Sequence, residues 1–126
     1  MPVRSLNSSV FAWPDAQAVD QAVRGWAHRL SLRRPELVRL GYFGSYARGD
    51  WGVGSDLDLV IVAETAAEPF ERRSADWDTT ELPVPADVLV YTLQEWESLA
   101  AAPPFAKNAE REIVWVYQRP SRQAAT

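Results

Sequence analysis

The sequence contains no cysteine, which removes disulfides, thiolate zinc sites and cysteine nucleophiles from consideration. Histidine is almost as scarce: His28 stands alone, too little for a histidine-rich metal site or for most histidine-based triads. Lysine is single too, Lys107 being the only one among 13 basic residues, a bias we read as genome composition. No apolar run approaches the roughly 20 residues that a membrane span needs. The N-terminal MPVRSLNSSVFAW has neither a sustained apolar stretch nor a small-residue cleavage signal. A soluble, cytoplasmic chain without membrane contact is therefore expected. An excess of positive charge is also missing. The net charge of −4 argues against direct nucleic-acid binding, which ordinarily uses a basic surface. It leaves room for a nucleotide held through metal ions, because metals reverse the local charge.

What is present is apolar and aromatic. Of the 126 residues 47% are hydrophobic and six are tryptophan, enough for one domain, 1–126, with a sizeable core. Residues 1–13 show no period, and 119–126 are polar; both read as loose arms. From Asp15 to about Arg33, apolar residues at Val19, Ala22, Val23, Trp26 and Leu30 follow helical spacing. Pro14 and Asp15 suit its start, and Pro35 ends it. Glu36–Phe43, Asp56–Ala63 and Ala86–Thr92 read as strands, and Ile113–Tyr117 as a last one. Pro69–Asp78 reads as a short helix, Thr79–Pro85 as a loop and Leu93–Ala101 as a helix; a further short helix follows Pro103-Pro104. This order implies an α+β fold, a small mixed sheet backed by helices.

Five of the six glycines lie between Gly41 and Gly54, which signals a local backbone demand. In FGSYARG, Gly44 follows a strand and would let the chain approach a ligand closely. The Ser45 hydroxyl and nearby amides could then hold phosphate oxygens. Arg48 either adds a charged fork for the same oxygens or braces the turn. An ordinary capped strand-to-helix turn would look the same. It is no P-loop, since no Gly-Lys-Ser/Thr follows, and the glycine spacing is wrong for a dinucleotide fingerprint. Trp51, in the same loop, either contacts a base or partner or lids the turn. Tyr46 is read as structural, and the other five tryptophans as core.

In Asp56-Leu57-Asp58-Leu59-Val60-Ile61-Val62, the strand period of two sets Asp56 and Asp58 on one face, with Leu57, Leu59 and Ile61 turned into a core. Two unpaired carboxylates roughly 7 Å apart repel each other. Hard divalent ions resolve this, because Mg²⁺ accepts carboxylate and phosphate oxygens. A pair of acids at a solvated strand entrance is the plain alternative. An EF-hand is excluded by the apolar residues after Asp58, and a DxD sugar-nucleotide transferase would be expected to be larger. Asp87 opens the third strand and is the best candidate for a third acid. Asp76, Asp78 and Glu81 precede that strand and are worse placed.

Together, GSYARGDWGVGSDLDLVIV resembles the DNA polymerase β-like nucleotidyltransferases, and most of all the minimal nucleotidyltransferases (MNT-type antitoxins). The shared motif is Gly44-Ser45, ten residues, then Asp56-Leu57-Asp58, with Asp87 on a later strand. The resemblance covers roughly residues 36–96, the motif core, and implies a polymerase β-like fold. It implies that Gly44 and Ser45, with Arg48 less securely, bind the phosphates of an NTP, usually ATP. It implies that Asp56, Asp58 and Asp87 ligate two Mg²⁺ ions, with Asp87 also helping as general base. It further implies a HEPN-type toxin as partner, neutralised by AMP transfer to a tyrosine. The chain is short for an enzyme with its own acceptor domain, so the acceptor is expected on another molecule. A non-catalytic module that neutralises a partner by binding is the alternative, and transfer to a small molecule ranks last. The sequence leaves the oligomeric state open.

Overall fold

The structure is a computed structural model that describes residues 13–101 and 112–120. Helix α1 (Ala16–Arg33) opens at Asp15, whose carboxylate accepts from the Ala18 amide at 2.8 Å. That bond satisfies one of the donors that a helix start leaves over. The helix buries Val19, Val23, Trp26, Ala27 and Leu30, one stripe at helical spacing. The stripe includes Ala27 in place of the expected Ala22. At the far end, the Arg34 guanidinium lies 3.9 Å from the centre of the Trp77 ring and donates to Asp76 O at 2.8 Å.

Strand β1 (Leu37–Phe43) follows, then a four-residue helix α2 (Ser45–Arg48) and strand β2 (Leu57–Ala63). A 3₁₀ helix (Phe70–Asp76) takes the place of the short helix expected over Pro69–Asp78. Strand β3 (Ala86–Thr92), helix α3 (Leu93–Ala100) and strand β4 (Val114–Gln118) complete the described chain. Thr92 and Glu95 form a reciprocal capping box that starts α3 directly at the end of β3. The helix expected after Pro103-Pro104 and most of the two arms fall outside the described residues. At their edges, Trp13 donates to Tyr46 Oη at 2.6 Å and Arg119 pairs with Glu64 at 2.8 Å.

The sheet order is β3-β2-β1-β4, with β2 and β3 parallel and the other pairs antiparallel. This is the mixed α+β sheet that the element order implied. Leu57, Leu59, Ile61 and Ala63 face a main core shared with α1. Val60 and Val62 face a second cluster under Trp96 of α3, with Trp115 packed edge-on against it at 5.6 Å. Hydrophobic residues on both faces make β2 the central, doubly covered strand. Each large side chain fully buried in this way contributes roughly 1.5–3 kcal/mol. Of the tryptophans read as core, Trp26, Trp77 and Trp96 are buried, and Trp13 and Trp115 lie partly buried against the clusters. Among the described residues no helix is long and apolar enough to cross a membrane.

Candidate active site

Three strands bring the site together at one end of the sheet. Phe43, the last residue of β1, is the register partner of Asp58 in β2, and Asp58 is the register partner of Asp87 in β3. Register partners point to the same face of a sheet. Phe43, Asp58 and Asp87 therefore form one row, on the face that carries α3 further along. Asp56 is placed differently from the expectation. The strand starts at Leu57, so Asp56 stands just outside it, exposed, on the connection from α2. Ser55 helps to shape that connection by accepting from the Gly52 amide through its hydroxyl, at 2.8 Å.

Gly44 is held to glycine for two reasons. Its φ of 78° and ψ of −149° lie in a region essentially reserved for glycine. A Cβ on Gly44 would also run into Asp58 Oδ2. The carboxylate of Asp58 is thus laid directly against the bare backbone of the Gly44-Ser45 turn. Beyond it, the amides of Ala47 and Arg48 donate to Gly44 O at 3.1 and 2.9 Å, and those of Gly49 and Asp50 donate to Ser45 O. The first amides of α2, those of Ser45 and Tyr46, precede any intrahelical partner, and no side chain caps this turn.

The electrostatics follow from the packing. Burial pushes the Asp58 carboxyl up from the ordinary carboxylate range, and the charges of Asp87 and Asp56 push it further; Arg48 offsets part of this. Asp58 thus sits within the field of both other acids. Arg48 itself is exposed and pairs with Asp50 at 3.2 Å, and its charge still reaches Asp58. Trp51 stacks on Tyr46 with ring centres 5.6 Å apart, and Tyr46 is buried.

Two of the three alternative acids are engaged elsewhere. Asp78 accepts from the amide and hydroxyl of Thr80 at 2.9 and 2.7 Å, and Glu81 pairs with Arg29. Two residues that the sequence reading passed over join the row instead. Leu89, 38% exposed, shares the face of Asp87 two residues on, and Phe43 flanks Asp58. A cleft of about 590 Å³ runs from Phe43 and Asp58 past Asp87 and Leu89 to Trp77 and Thr79. The parity of Leu89 with Asp87 and the position of Phe43 just before Gly44 were the available signals.

The donor set fits a hard divalent cation. Burial and the charges of Asp87 and Asp56 raise the Asp58 carboxyl, and among the described residues no arginine is ion-paired to any of the three, a set of hard oxygen donors whose repulsion a divalent cation would relieve. Among the described residues no three acidic or imidazole side chains gather closely enough to enclose an ion by themselves.

A mixed sheet with a glycine turn pressed on a row of acids defines the class, an α+β domain of the nucleotidyltransferase fold. The chain belongs to the nucleotidyltransferase domain family, whose sequence profile matches residues 27–116. No curated protein matches the sequence significantly. Among solved structures, a provisionally named nucleotidyltransferase from Sulfolobus solfataricus is 19% identical, with a TM-score of 0.59 over 82% of this chain and 84% of that one. At that identity the similarity speaks for the fold. A toxin-antitoxin structure with AMP-PNP is 17% identical over 80% of this chain and 76% of that one. Its TM-score of 0.45 is too low to define a shared fold.

Proposed function

We propose that the chain is a Mg²⁺-dependent nucleotidyltransferase that moves AMP from ATP to a hydroxyl of a partner protein. In this reading Gly44 and Ser45 receive the β- and γ-phosphates, because Gly44 carries no side chain of its own and the first amides of α2 lack intrahelical partners. Asp56 and Asp58 would hold the metal, with Asp87 as the third ligand. Two Mg²⁺ ions, when bound, would neutralise the phosphates and the charge on the attacking and leaving oxygens. Asp87, which lines the cleft, would accept the proton of the acceptor hydroxyl. The oxygen then bonds to the α-phosphorus, the bridging α–β oxygen–phosphorus bond breaks, and pyrophosphate leaves with the electron pair. The observation that carries the reading is the position of Asp58, against the Cα of Gly44 on one side and beside Asp87 on the other.

The finer assignment is an antitoxin that adenylylates a tyrosine on a HEPN-type toxin. Its support is the motif from Gly44 to Asp58 with Asp87, which resembles that of the minimal nucleotidyltransferases. The test is intact-mass measurement of a purified cognate partner after incubation with the chain, ATP and Mg²⁺. An AMP adduct on a partner tyrosine is expected; an unmodified partner ends the catalytic reading. A second reading is neutralisation by binding alone, the alternative that the sequence left open. Changing Asp56 and Asp58 to Asn separates the two. Neutralisation that disappears while the complex still forms means catalysis, and neutralisation that survives means binding.

A further inference from the structure

Strand β3 is an edge of the sheet, and its two halves are finished differently. Backbone groups of alternate residues in a strand point to opposite sides. The Leu57 amide donates to Pro85 O, and Leu57 is the register partner of Ala86. Residues 85, 87, 89 and 91 therefore turn their polar groups toward β2, whereas Ala86, Val88, Val90 and Thr92 turn theirs outward. At the far half, one ion pair closes the edge. Arg73, buried against β3, donates to Val90 O at 3.2 Å and pairs with Glu95 at 2.6 Å; Glu95 accepts from the Thr92 amide at 2.9 Å. The outward carbonyl of Val90 and the outward amide of Thr92 are both taken. At the near half, beside Asp87, the outward N–H and C=O of Ala86 and of Val88 have no hydrogen-bond partner among the described residues. Instead Ala86 and Val88 line the cleft of about 590 Å³, together with Ser74, Trp77 and Thr79.

A free edge is normally blunted by charge, proline or cover, because it pairs readily with another strand. Here the cover stops where the acidic row begins. We propose that the near half of β3 is the acceptor-docking site, and that the acceptor binds as an extended polypeptide segment that adds a strand to Ala86–Val88. The occupant follows from the chemistry of the edge. Alternating donors and acceptors, spaced by two residues along a strand, are matched by the backbone of another extended chain. A strand so added lies about 4.8 Å from β3. Its side chains alternate between faces, so the one opposite Asp87 lies on the face of Asp87 and Asp58. A hydroxyl-bearing residue in that register meets the row of acids, and its neighbours reach Leu89 and Trp77. The inference rests on the nucleotidyl-transfer reading of the same site and adds the form in which the acceptor arrives.

The test uses the full chain with Mg²⁺, ATP labelled at the α-phosphate, and synthetic nonapeptides with a central tyrosine flanked by valine and threonine. A second set carries N-methyl groups on the backbone amides that would pair with β3. Equilibrium binding of ATP with Mg²⁺ is measured separately. The expected result is label on the plain peptides and little on the N-methylated ones. In Val88→Pro, which removes an outward donor where an edge strand tolerates proline, KM for the peptide rises roughly tenfold or more. Melting temperature and ATP affinity stay near those of the wild type. Equal labelling of plain and N-methylated peptides overturns the proposal, and so does an unchanged KM in Val88→Pro. If ATP binds but no peptide is labelled, strand docking fails while the nucleotide site stands. If ATP with Mg²⁺ does not bind, both fall.

Discussion

Two groups of carboxylates in this molecule live by opposite rules. Glu95 has a cation: bonds from Arg73 and from the Thr92 backbone hold its carboxyl down to about 2. Asp20 and Glu36 are pushed up by burial, yet the bonds they accept outweigh it, from Arg24 and Tyr42 for Asp20 and from the Glu36 backbone and Arg34 for Glu36, and both end below the ordinary range. Asp58 is the reverse. Burial and two neighbouring acids push it up, and Arg48, whose charge offsets part of this, is paired with Asp50. Acids that serve the fold are neutralised by arginine in place; acids at the end of β2 and β3 are left mutually repelling. Such an arrangement persists only if the rest of the fold outweighs it, and a carboxyl perturbed by burial and like charge in a cleft is a common mark of a functional site.

The comparison can be broken most forcefully at Gly44. Gly44→Ala forces a side chain into a left-handed conformation and onto Asp58, and should cost about 1–3 kcal/mol of stability and remove measurable AMP transfer, read by denaturant melts and by label transfer. Asp58→Asn should lower transfer by roughly 10²–10⁴-fold yet raise the melting temperature in chelator, because a repelling charge is gone. A drop in stability there would place Asp58 among the structural acids. On the structural side, Arg73→Met leaves Glu95 and Val90 O without their partner and should cost about 1–3 kcal/mol, discounted because the Glu95 side chain is 42% exposed. Glu95→Gln sharpens the same point through pH. Its folded carboxyl lies near 2, below the ordinary value of 4.5, so its stabilisation is complete above the ordinary value and fades as pH falls from there toward 2. Wild type and variant should therefore converge in stability on acidification. Trp51→Ala should have the smallest effect, about 0.5–1.5 kcal/mol from the lost stacking on Tyr46, with KM for ATP little changed.

The strands were legible in the sequence because their cues are local. Ala86–Thr92 alternates between Pro85 and the capping residue Thr92, and the structure gives the strand those bounds. The helix from Asp15 to Arg33 was announced by its cap and its stripe. The Gly-Ser turn and the three acids could be named because their spacing is a sequence property. What was hidden depends on contacts between distant segments. Nothing local tells that Asp58 and Asp87 are register neighbours, that Val60 and Val62 are covered by Trp96, or that Arg73 reaches Glu95 across 22 positions. The one-residue shift that leaves Asp56 outside β2 is likewise set by pairing, since the Leu57 amide bonds across to Pro85 O at the start of β3, whereas the Ser55 amide bonds back to Gly52 O within its own loop.

The most direct test of the central claim is thermal unfolding with and without Mg²⁺ and a non-hydrolysable ATP analogue, in wild type and in Asp58→Asn. The account predicts that metal and nucleotide together raise the melting temperature of the wild type by several degrees, as a ligand near a hundredfold excess over its Kd contributes about 2.7 kcal/mol. It predicts little or no rise in the variant. An equal rise in both proteins, or none in either, would contradict it.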